Sequence, residues 1–74
     1  MKLNPEILIE LLRYRMPFGK YKDRFIREIP VHYLEWMARE GFPPGKLGMM
    51  LSTMHVIKTN GLDYLLNDLE KRRK

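Results

Sequence analysis

Side chains able to do covalent or metal chemistry are scarce in this chain. It has two histidines, His32 and His55, a single serine, Ser52, and no cysteine. Metal capture on one helix face needs ligands at i and i+4, and the two histidines are far from that spacing. No run of acids resembles a two-metal site. Both histidines read as surface or partly buried polar residues. Nothing beside Ser52 marks it as an activated nucleophile. Asp63 and Asp68 read as acids on a helix face rather than as an acid–base pair. The expectation is a protein that is not an enzyme and uses no metal or cofactor.

Binding chemistry is better represented. In Met16-Pro17-Phe18-Gly19-Lys20-Tyr21-Lys22-Asp23-Arg24-Phe25-Ile26-Arg27, cations are interleaved with aromatic and aliphatic side chains. Such a mixture can track phosphates and stack on bases. The candidate contact residues are Lys20, Tyr21, Lys22, Arg24 and Arg27, joined by Arg13 and Arg15 just upstream. In a strand, alternation would put Lys20, Lys22 and Arg24 on one face. The plainer reading is a solvated polar face whose Lys and Arg blunt an exposed sheet edge.

The charge balance is uneven. Of a net +5, residues 13–28 hold six basic groups against two acids, and Lys71-Arg72-Arg73-Lys74 adds four more cations, so the remainder is acidic. Clustered cations set up a local field suited to a polyanion, although basic groups also serve solubility alone.

Three further features carry alternatives. Gly45-Lys46-Leu47-Gly48 has the Gly-x-x-Gly form with which a KH module clamps a nucleic-acid backbone. It is equally explained by Gly45 starting a helix and Gly48 allowing close packing. Tyr33 and Trp36 could stack on bases, or the single Trp could centre the core. Met49, Met50 and Met54 either fill an irregular core or offer an adaptable contact surface. On that last reading the protein is a protein-interaction or self-associating module using an apolar face of the Met-rich third helix.

These residues must be positioned by helices. Asn4-Pro5-Glu6 starts one well: Asn can cap, Pro suits the first position, and Glu favours the positive end of the dipole. Ile7, Leu8, Leu11 and Leu12 continue it at helical spacing to about residue 15, and Pro17 ends it. Phe18 and Phe25-Ile26 then flank a segment of hairpin length over about residues 16–28, in which Gly19 and Asp23 tolerate positive φ. Pro30 opens a second helix running to Gly41, with Val31, Leu34, Met37 and Ala38 as its buried stripe. After the rigid Phe42-Pro43-Pro44-Gly45 connector, Leu47, Met50, Leu51, Met54 and Ile57 mark a third helix over about residues 46–59. Asn60-Gly61 reads as a helix–helix corner. Leu62, Leu65, Leu66 and Leu69 mark a fourth helix to about Lys71, with residues 71–74 expected to fray.

The predicted class is therefore α+β, mainly helical, with about four helices around one short β-hairpin. At 74 residues this makes one domain with a small core. Self-association as a homodimer is one way such a core is supplemented. The first residues lack the features of a signal peptide, and no stretch approaches the roughly 18 apolar residues that span a bilayer. The expected location is the cytoplasm.

Several blocks together resemble a known family. Met16-Pro17-Phe18-Gly19-Lys20-Tyr21-Lys22, Ile29-Pro30, Tyr33-Leu34-x-Trp36, Gly41-Phe42-Pro43, Gly45-x-Leu47-Gly48 and Ile57-Lys58-x-Asn60-Gly61-Leu62 are similar to the family described as "putative quorum-sensing-regulated virulence factor". Its members are small bacterial proteins otherwise classed as a domain of unknown function. The resemblance runs from about Met16 to Leu66 and implies regulated expression in a virulence context, with no catalytic residues. The Phe-Gly-Lys-Tyr-Lys block also resembles segments appended to some bacterial exonucleases, which implies a nucleic-acid partner, DNA or RNA undetermined. This chain has Asp23 where the family usually has Gly, which narrows the turn and sets an acid among the cations.

Overall fold

Helical signals in the sequence translate almost directly into structure, and the interleaved segment does not. The computed structural model describes residues 5–72, so the expected Asn4 cap and the last two tail residues lie outside the described ones. Among the described residues there are four α-helices: α1 (Pro5–Leu11), α2 (Val31–Glu40), α3 (Gly45–Thr59) and α4 (Asp63–Arg72), with one 3-10 turn over Ile26–Glu28.

The predicted hairpin is absent, and with it the α+β class. Among the described residues no strand forms; a single antiparallel bridge joins Arg15 to Phe25. Its bonds are Ile26 N–H to the Tyr14 carbonyl at 3.0 Å and Met16 N–H to the Arg24 carbonyl at 2.8 Å. The ladder cannot grow in either direction. Towards the loop tip the Met16 carbonyl is taken by Asp23 N–H rather than by Arg24, and the two inward donors, Lys22 and Arg24, turn back to the Gly19 and Tyr21 carbonyls in successive turns. On the other side the chain enters the tail of α1 and the 3-10 turn, where Glu28 N–H returns to the Phe25 carbonyl at 2.9 Å. The result is an all-helical fold with one pinched loop.

The pinch also shortens α1. Its regular span stops at Leu11, and Leu12 and Arg13 make tight bonds to the Ile9 and Glu10 carbonyls. Tyr14 and Met16 are committed to the bridge, and Pro17 keeps Met16 out of the helical region.

Later helix ends follow their local signals. Gly41, at φ 104°, donates to the Met37 carbonyl at 2.7 Å and closes α2. At the end of α3, Leu62 N–H reaches the Ile57 carbonyl and Gly61 N–H the Lys58 carbonyl, with Gly61 at φ 65°. That is the Schellman arrangement, which stops a helix where Gly takes the left-handed position. Asn60-Gly61 is thus the helix–helix corner that the flanking periods predict.

α3 is the central element, packed against α1, α2 and the 3-10 turn, while α4 packs on α1. Because it is surrounded, it buries residues on several faces: Gly48, Met50, Leu51, Thr53, Met54 and Ile57. The Thr53 hydroxyl donates to the Met49 carbonyl at 2.7 Å, so its burial leaves no orphan donor. Leu11, Leu12, Met16, Ile26, Ile29, Leu34, Met37 and Leu66 complete the core. α2 buries less than its sequence stripe predicts. Leu34 and Met37 are inside, but Val31 and Ala38 are exposed, because the packing of α2 on α3 covers only one face of it.

Candidate nucleic-acid interface

The pinched loop holds the candidate side chains, and its backbone requires two left-handed residues. Gly19 sits at φ 83° and Asp23 at φ 71°, the two positions the sequence marks as tolerant. Asp23 N–H donates to the Met16 carbonyl at 2.8 Å, and the Arg15 guanidinium donates to the Asp23 carbonyl at 2.9 Å. The same guanidinium lies 4.4 Å from the Phe25 ring centroid, within cation–π range. Arg15 therefore clamps the loop base.

From that base the loop folds onto α2 through aromatic rings. The Tyr21 ring meets Tyr33 edge-on, with centroids 4.8 Å apart and planes at 69°. Tyr33 in turn lies 5.7 Å from Trp36 at 31°. Lys20 Nζ stands 5.7 Å from the Tyr21 ring centroid. Gly19 passes close to Tyr33: a Cβ there would lie 3.8 Å from the tyrosine hydroxyl. A continuous strip runs Lys20–Tyr21–Tyr33–Trp36, half-buried in its middle. Trp36 is 47% exposed, so it is not the centre of the core, and Phe18 is 51% exposed on the loop.

Other candidates are distributed differently. Lys22, Arg24 and Arg13 are exposed, but Lys20, Lys22 and Arg24 occupy turns and do not share a strand face. Arg27 leaves the loop altogether. Its Nη1 pairs with Glu70 at 2.7 Å and its Nη2 donates to Asn67 at 2.6 Å, tying the 3-10 turn to α4. Lys46 pairs with Glu10 across α3 and α1, and the Glu10 carboxylate, as hydrogen-bond and charge partner, raises Lys46 above the ordinary lysine value.

The remaining motifs take structural places. Gly45 begins α3 and Gly48 lies within it, so they do not form an open loop. A Cβ at Gly48 would stand 1.7 Å from the Pro43 carbonyl oxygen, the close approach that requires glycine. Ser52 donates to the Met49 carbonyl inside α3. His32 is exposed and the His55 ring lies 6.2 Å from Phe42. Among the described residues no three His, Asp or Glu side chains converge as a metal site. No helix among them is long and apolar enough to cross a membrane.

Sequence reasoning placed Lys20 and Tyr21 in the site and left Trp36 open. Its only local signal was the three-residue spacing from Tyr33, on a face apart from Leu34 and Met37. The same side chains fall inside a matched family model. The model described as "Putative quorum-sensing-regulated virulence factor" matches residues 4–69, which include the loop, α2 and α3 in full. The chain belongs to this family. Among curated proteins it is similar to the uncharacterised protein YpeB of Escherichia coli strain K12, 44% identical over 70 residues, covering 93% of this chain and 97% of the relative. The YpeB of Escherichia coli O157:H7 matches to the same extent. No solved structure matches.

Proposed function

We propose that this family member is a small, non-enzymatic nucleic-acid-binding or accessory module that works in the cytoplasm. The observation that carries the reading is the strip in which Lys20 stands beside Tyr21, and Tyr21 leads through Tyr33 to an exposed Trp36. Lys20, Lys22 and Arg24 contact phosphates, and Arg13 supplies further attraction. Arg15 and Arg27, spent on the loop clamp and on α4, have structural roles first.

Fluorescence anisotropy with labelled DNA and RNA across a salt series tests this. Non-specific affinity of about 10⁻⁴–10⁻⁶ M is expected at physiological salt. With about three phosphates neutralised, log K falls against log salt with a slope near −2 on a single strand. Binding that persists unchanged in Lys20→Glu/Lys22→Glu/Arg24→Glu sinks the reading.

The rival reading, self-association through the methionines of α3, has one specific support: Met49 is 46% exposed. Met50 and Met54 are core residues, which leaves Met49 to carry it. A sedimentation series in which the protein stays monomeric at high concentration removes the self-association form of that reading.

A further inference from the structure

We infer that the site prefers single-stranded nucleic acid to duplex, with Trp36 as the platform on which an unpaired base stacks; the inference rests on the nucleic-acid reading above. Trp36 offers a large aromatic surface to solvent, at 47% exposure, from a regular helix rather than from a loop. Its ring is not free to wander. Tyr33, one helical turn earlier, lies 5.7 Å from it, and the edge-on contact of Tyr21 at 4.8 Å holds Tyr33. Both supporting rings are half-buried, so the platform is ordered before any ligand arrives.

The chemistry of the strip separates the two ligand forms. In a duplex each base face is covered by its neighbours, and exposing one costs unstacking and unpairing. A single strand presents its base faces freely, and aromatic platforms beside a cationic track are how strands are held without regard to sequence. Here the cation lies at the far end of the same strip, with Lys20 Nζ 5.7 Å from the Tyr21 centroid, and exposed Lys22 follows in the loop. The net charge of +5 supplies the complement to the phosphate backbone. Phe18, exposed two residues before Lys20, offers a second face. Base stacking and phosphate pairing are common to DNA and RNA, so single strands of both are the predicted ligands.

The test uses the full chain with labelled oligo(dT), oligo(rU) and a duplex of equal length at low salt. Tighter binding of either single strand than of the duplex, by about ten-fold or more, supports the inference. Trp36→Ala should weaken single-strand binding by about 5- to 150-fold and shrink the preference for strand over duplex, with its helical circular dichroism retained. Trp36→Phe should recover most of the loss. As the single Trp in the chain, Trp36 should also show fluorescence quenching when the strand is added. Equal affinity for strand and duplex, or a Trp36→Ala protein that binds oligo(dT) like the parent, overturns the inference and leaves nucleic-acid binding standing. Failure to bind any of the three ligands removes the underlying reading as well.

Discussion

At the residue scale, two backbone positions are the sharpest constraints. Gly48 faces backbone atoms, not a flexible side-chain end: a Cβ would stand 1.7 Å from the Pro43 oxygen and 2.9 Å from its carbonyl carbon. Alanine has the better helix propensity by about 1 kcal/mol, but overpacking against a fixed Pro43-Pro44 connector outweighs it. Gly48→Ala is expected to cost about 2–3 kcal/mol net, seen as a melting temperature lower by about 10–20 °C in circular dichroism. Asp23 is the opposite case, a non-glycine residue held at φ 71°. Asp23→Gly should stabilise by up to about 1 kcal/mol, because glycine takes that conformation without a Cβ penalty. Asp23→Val should destabilise by about 1–2 kcal/mol in urea titrations. The Arg15 clamp survives both changes, since it bonds the Asp23 carbonyl rather than its carboxylate.

At the element scale, side-chain ties hold neighbouring elements in place. Arg27 forks to Glu70 and Asn67, joining the 3-10 turn to α4. With the Glu70 side chain 61% exposed, Arg27→Ala should cost no more than about 1 kcal/mol. Amide exchange should quicken in α4 while nucleic-acid affinity stays within about two-fold, which separates Arg27 from Lys20. The Lys46–Glu10 pair joins α3 to α1 and raises the lysine above 10.5 in the folded state. A raised folded value means its contribution is complete below the unfolded lysine range and is lost as pH rises through the folded one. The stability difference between the parent and Lys46→Gln should therefore hold steady from neutral pH to about 10 and shrink beyond it.

At the scale of the whole molecule, charge and shape act together. The basic loop lies against α2, whose inner face packs on α3, so the aromatic strip is supported by the core without being part of it. Charge reversal at Lys20, Lys22 and Arg24 should abolish binding and leave the melting temperature within a few degrees, since all three side chains are exposed. A large drop in stability would show that the loop cations hold the fold instead.

The sequence by itself determined the four helices and the ends of α2 and α3, but not the end of α1, which stops at Leu11 rather than near residue 15. Pro30, Gly41 and Asn60-Gly61 act through local steric preferences that need no distant partner, and the positive φ of Gly19 and Asp23 belongs to the same class. It did not determine the loop. Alternation over residues 18–26 reads as a strand pair, but a ladder needs the inward N–H groups of both sides, and Lys22 and Arg24 spend theirs on the turns at Gly19 and Tyr21, which leaves one bridge. Tertiary structure alone decided that Arg27 would be spent on Glu70, 43 residues away in the chain. It also decided that Trp36 would stand outside the core. Which face of α2 is covered depends on where α3 lies, and that is set by the packing of the whole chain rather than by the spacing within one helix.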